Sequence, residues 1–107
     1  MSSISWFYLI IAGFFEIGWP LGLKLATTPS FKIFGLIISV ISMTASGILL
    51  WFSLKDISIG TAYAVWTGIG AAGTFIIGVL FFNDPSIIFR WIGVSLIILG
   101  VIFLKVA

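Results

Sequence analysis

Cysteine and histidine are absent from this 107-residue chain. Without cysteine there is no disulfide framework and no thiolate metal site. Without histidine the commonest metal ligand and the usual neutral-pH proton carrier are both missing. Charge is scarce as well: five basic residues and three acidic ones make up 7% of the chain. A net charge of +2 is too small to mark a nucleic-acid surface. No cofactor and no metal is implied. An enzyme is not expected either, because the chain lacks a serine–lysine pair, a metal set or histidine beside its one mid-helix carboxylate.

Apolar residues fill the space left by the missing charge. The chain is 62% hydrophobic, with a mean hydropathy of +1.36. A water-soluble domain of this size has too little interior to hide that much apolar surface, so its solvent is lipid. Four runs reach the ~20 residues that a transmembrane helix needs: about 5–26, 32–53, 59–82 and 86–105. The expected fold is an all-α integral membrane protein, one four-helix domain over residues 1–107, with a packed centre. No loop is long enough to fold by itself. Met1, Ser2 and Ser3 carry no basic region, so the first span is expected to be retained and not cleaved as a signal peptide. Pro29 and Ser30 are expected to stop the first helix and cap the second. Asn83-Asp84-Pro85 reads as a tight turn in which Asn83 or Asp84 caps and Pro85 opens the fourth helix.

The charges are nearly balanced across the membrane. Four spans put both termini on one side with the Lys55 loop, so Lys55 and Lys105 face one way and Lys24, Lys32 and Arg90 the other. The positive-inside rule acts on that bias, and two against three is almost none. The expectation is dual topology, and with it an antiparallel homodimer whose second, inverted copy supplies the repeat that many transporters carry within one chain.

Glu16 is the one carboxylate inside any of the runs, at the middle of the first. A charge at that depth costs roughly 2.5–3.5 kcal/mol on insertion scales. It is tolerated facing a cavity, a partner or a bundle interior, so it reads as a site for a proton, a cation, or both in turn. Gly13, Trp19, Pro20 and Leu23 share its face at helical spacing. Pro20 has no N–H to give the Glu16 carbonyl. It either leaves an oxygen-rich zone suited to a cation with several N–H donors or simply kinks the helix. Lys24 lies roughly 12 Å further along the axis, too far to pair with Glu16, and reads as an interfacial anchor.

The other helices offer partners. Ser39, Ser42 and Ser46 form a hydroxylated stripe on the second. The stripe either eases close packing or meets the cavity, where Ser46 would hold a carboxylate rotamer. Tyr63 and Trp66 on the third share a face with Thr67 and Gly70, well inside the span and away from the interfacial belt. Such a ring pair is either core packing or a cation platform. Gly68 and Gly70 weaken the helix and mark a hinge. On the fourth, Gly93, Leu96, Ile97, Gly100 and Val101 make a face open to close helix approach, expected to be the dimer contact.

Over its whole length the chain resembles the small multidrug resistance family. The resemblance rests on the lone Glu16, on residues 60–70 (GTAYAVWTGIG) and on residues 93–101 (GVSLIILGV). Glu16-Ile17-Gly18-Trp19, Gly22-Leu23-Lys24 and the 60–70 segment are most similar to the guanidinium exporter subtype. The resemblance implies an antiparallel, dual-topology homodimer in the bacterial inner membrane that exchanges a cation for protons. It implies that Glu16 is the shared proton and substrate site, lined by Trp19, Ser46, Tyr63 and Trp66. Trp19 and Ser46 would hold the carboxylate, Gly68 and Gly70 would flex, and helix four would dimerise. Two departures concern substrate range: Pro20 stands where the pattern has alanine, and the first loop is one residue longer.

The function expected is a proton-coupled antiporter of guanidinium or small guanidinyl cations, with proton and substrate competing for Glu16. A planar guanidinium offers parallel N–H donors to both carboxylate oxygens. A promiscuous exporter of quaternary ammonium cations is the alternative. An accessory subunit, indifferent to Glu16, and a small channel without proton exchange are further ones.

Overall fold

In lipid, a backbone must satisfy its hydrogen bonds internally, and each of the four apolar runs does so by coiling. A computed structural model describes residues 3–107. Its helices are α1 (Ser3–Leu25), α2 (Lys32–Ser53), α3 (Ile59–Phe81) and α4 (Ile88–Val106), with a 3-10 turn at Pro29–Phe31 before α2. All four are long and apolar enough to cross a membrane.

The four helices do not all pack around the one centre expected of them. α1 packs extensively on α2 and on α3, α3 packs on α4, and α2 barely touches α3. The helices therefore lie in a row, α2–α1–α3–α4, and the thinnest dimension is 17 Å. Glycines explain why α1 takes the central place. Gly18 lies against Ser42 and Gly22 against the backbone of Gly35 and Ser39, so α2 approaches on one side. Gly13 lies against Ile69, and Gly73 of α3 admits Ile17, so α3 approaches on the other.

Packing is uneven along the row. The core of Trp6, Leu9, Ile57, Ala62 and Val65 sits at the end that carries the α2–α3 loop. There Ser5 donates a 2.7 Å hydrogen bond to Asp56, and the Lys105 ammonium lies 5.1 Å over the Trp6 ring. At the row's edge, α4 buries only Val94 among its described residues. Leu96 is 64% exposed and Phe103 67%.

Two turns depart from expectation. Ser30 does not cap α2: Pro29 and Ser30 enter the 3-10 turn, and Phe31 holds the cap position without a side-chain hydrogen bond. Pro85 does not open α4, which starts three residues later behind Ile87. Asn83 instead closes α3 from the left-handed region at φ 58°, a conformation that asparagine tolerates better than most residues. The Phe82 and Asp84 amides both turn back to the Gly78 carbonyl, at 3.0 and 3.1 Å. Residues 83–87 form no helix, and Ile87 is still extended at φ −66° and ψ 157°.

Candidate functional site

Glu16 is half-buried on α1, and the Trp19 indole Nε1 donates to its Oε1 at 2.8 Å. The two residues are three apart and stack on one helix face. Its other oxygen has no protein hydrogen bond among the described residues. Gly70 makes room for the carboxylate: a Cβ there would meet Glu16 Cγ, so α3 crosses α1 at van der Waals distance only because this position has no side chain.

A cleft of about 370 Å³ opens from Glu16 between α1 and α3. Pro20, Thr67, Gly70 and Thr74 line its inner part, and Phe75, Asp84 and Arg90 its remainder. Pro20 therefore faces the same space as the carboxylate. The cleft has room for a small organic cation and joins an apolar wall to a few polar groups, the usual make-up of a small-molecule site.

The other expected site residues form a second cluster. Ser46 does not hold the carboxylate. Its hydroxyl donates to the Ala12 carbonyl at 2.7 Å and accepts from Trp66 Nε1 at 2.8 Å, so its one donor hydrogen is already committed. The serine stripe as a whole faces α1 and not the cleft: Ser39 donates to the Trp19 carbonyl at 2.9 Å, and Ser42 lies against Gly18. Tyr63 and Trp66 pack together with ring centroids 5.6 Å apart, tilted by 52°. Neither lines the Glu16 cleft, and Tyr63 is 57% exposed on the open side of the row.

The Trp66–Ser46–Ala12 chain ties α3 and α2 to α1 one turn before Glu16. A double-mutant cycle of Ser46→Ala and Trp66→Phe, read by unfolding in detergent micelles, is expected to return a coupling of about 0.6–1.7 kcal/mol, the range of interhelical hydrogen bonds in membranes. Strict additivity would show that the indole and hydroxyl merely lie side by side.

Two expectations concerning glycine are refined. α3 runs unbroken through Gly68 and Gly70, and both serve close packing: a Cβ at Gly68 would meet Val101 and Ile97 of α4. Val101 thus belongs to the contact between α3 and α4 of one chain and not to the free face of α4. Gly93 and Gly100 have open space where a side chain would be, and Leu96 is exposed beside them.

Thr74, Phe75, Asp84 and Arg90 were not recognisable as cleft residues from their spacing. Asp84 and Arg90 read as a turn residue and a helix flank. Only the left-handed Asn83 brings Asp84 back over Gly78, where a Cβ would meet its Oδ2.

A family model described as Small Multidrug Resistance protein matches residues 4–97. The chain belongs to the small multidrug resistance family. Among similar proteins is a guanidinium exporter of Yersinia pseudotuberculosis serotype I (strain IP32953), 41% identical over 97% of this chain and 99% of its own length. Guanidinium exporters of Proteus vulgaris and Escherichia coli (strain K12) are each 40% identical over 97% of this chain, and over 99% and 98% of their own lengths. Membership places the protein among multi-pass transporters of the bacterial inner membrane and not among enzymes. In this small multidrug resistance protein the one carboxylate of the spans, Glu16, stands at the head of the cleft between α1 and α3.

Proposed function

We propose that this chain exports guanidinium or small guanidinyl cations in exchange for protons, with proton and cation competing for Glu16. The observation that carries the proposal is the Glu16 carboxylate itself, oriented by Trp19 at 2.8 Å and facing a cleft with its second oxygen unpaired among the described residues. A guanidinium can lay two parallel N–H groups along such a carboxylate. A proton on the same oxygens removes the charge that holds the cation. Exclusive occupancy then suffices to couple the two flows, and an inward proton gradient drives the cation out.

Two copies in opposite orientation complete the transporter in this reading. The near-even cation count across the membrane supports it, as does a row of helices whose α4 edge buries only Val94 among its described residues. Gly93, Leu96 and Gly100 form the dimer face, with Ile97 at its border where it also meets Gly68 of its own chain. The partly exposed Tyr63 and Trp66 line the shared cavity from the open side. The close-packed Gly68 and Gly70 let α3 slide against α1 and α4 as access alternates.

The test is uptake into proteoliposomes with an acidic interior. Protons leave down their gradient, so guanidinium is expected to accumulate inside, and a protonophore is expected to abolish the accumulation. Because the inserted dimer has no preferred direction in this reading, reversing the gradient should drive efflux equally well. Uptake indifferent to the protonophore would sink the coupling and leave a channel. Preferential uptake of a quaternary ammonium would replace guanidinium as the substrate class.

A further inference from the structure

The cleft that starts at Glu16 already holds a guanidinium of the chain's own. Arg90 lines it, and its Cζ lies 5.4 Å from the centroid of the Phe75 ring. That is the distance at which a ring face attracts a guanidinium. Phe75 also packs against Trp91, ring to ring at 5.1 Å and 90°, a contact that limits the motion of its ring. Asp84 lines the same cleft and also a neighbouring one of about 260 Å³, with Pro20 and Thr74 shared between them and Lys24 on the far wall. Its carboxylate rests over Gly78, the position where only glycine leaves it room.

An aromatic face and a carboxylate in one cleft are the elements that recognise a planar guanidinyl cation. Arginine stays protonated at every accessible pH, so its presence there places a permanent positive charge in the path of a cationic substrate. We infer that Phe75 and Asp84 form an outer station for guanidinyl cations, and that Arg90 occupies this station as a tethered competitor until substrate displaces it. The inference rests on the guanidinium reading of Glu16 and adds a specificity-determining position beyond it. Arg90 raises the substrate concentration needed for loading and lets the cation leave quickly on release.

The experiment is the KM and kcat of guanidinium uptake by proteoliposomes bearing wild type, Arg90→Ala, Phe75→Leu and the double variant. Removing the competitor is expected to lower KM about three- to fivefold, the strength of an exposed cation–π contact. Phe75→Leu should change KM little while Arg90 covers the ring. In the Arg90→Ala background it should reverse the gain, a non-additivity that simple loss of packing does not produce. Asp84→Asn, a substitution in an exposed turn, should reverse the gain too and serves if Phe75→Leu does not fold. An unchanged KM in Arg90→Ala, with proton-driven uptake by wild type intact, overturns the outer station, leaves Arg90 an interfacial anchor and leaves the exporter standing. Absence of guanidinium uptake by wild type removes both.

Discussion

Glu16→Gln is expected to abolish proton-driven guanidinium uptake, lowering it at least about 100-fold, and to abolish proton release on substrate addition. Two losses combine. A hydrogen bond to a charged acceptor contributes about 1.5–3 kcal/mol, and guanidinium makes two of them to a carboxylate but at most one to an amide oxygen. The amide also takes up no proton, so nothing remains to exchange. The substitution is well suited to exclude a folding defect, since a glutamine oxygen still accepts from Trp19 Nε1, the 2.8 Å bond that orients the native side chain. Glu16→Asp makes the complementary case. It keeps the charge but withdraws the oxygen from the indole, so coupled uptake should survive at a reduced rate. The measurements are radiolabelled guanidinium uptake and pH-dye release on the same detergent-characterised protein. Uptake that survives Glu16→Gln would return the chain to the accessory-subunit or channel readings.

Gly35→Val is expected to separate α1 from α2. A Cβ at Gly35 would meet the Gly22 carbonyl and the Ala26 amide, and one at Gly22 would meet the Gly35 carbonyl and the Ser39 amide. These obstacles are backbone atoms, which cannot change rotamer. Overpacking ordinarily costs about 1–3 kcal/mol where side chains can yield, and here the whole helix must move. The loss should be about 3 kcal/mol or more, with the Ser39 bond to Trp19 broken as the helices part. Gly47→Ala and Gly60→Ala are the controls, because a side chain at either meets nothing within 4 Å. They should be neutral or slightly stabilising, as Gly-to-Ala changes in open helix positions are. Unfolding in micelles compares the three. Equal stability of Gly35→Val and the controls would mean that α1 and α2 are not in contact as described.

This second site shows what the periodicity of a membrane chain conceals. Gly18, Gly22, Gly35 and Ser39 pair at spacings of four, the pattern that lets helices approach in lipid. Nothing in that pattern says which helix faces which. The serine stripe of α2 illustrates the same gap. Three hydroxyls on one face were legible, but whether they met the cavity or α1 was not, since a hydroxyl fits a water-filled site and a neighbouring carbonyl equally well. Glu16 and Trp19 were legible as a pair because three residues on one helix fix their relation locally. Ser46 is legible as a hydrogen-bonding residue, but its choice of the Ala12 carbonyl and the Trp66 indole over Glu16 depends on how three helices meet.

Residue types and run lengths alone determined that this is a lipid-embedded protein of four spans, that one carboxylate, Glu16, lies within a span, and that its flanking charges are nearly balanced. Those conclusions follow from transfer costs, which depend on residue type and run length and not on neighbours. The tertiary structure alone decided that the spans form an open row with α1 central, that Glu16 opens onto Thr74, Phe75, Asp84 and Arg90, and that Val101 packs within its own chain. Lipid gives no hydrophobic preference for one helix pairing over another. The pairing is settled by where glycines let backbones meet, and a sequence shows the glycines without showing what they meet.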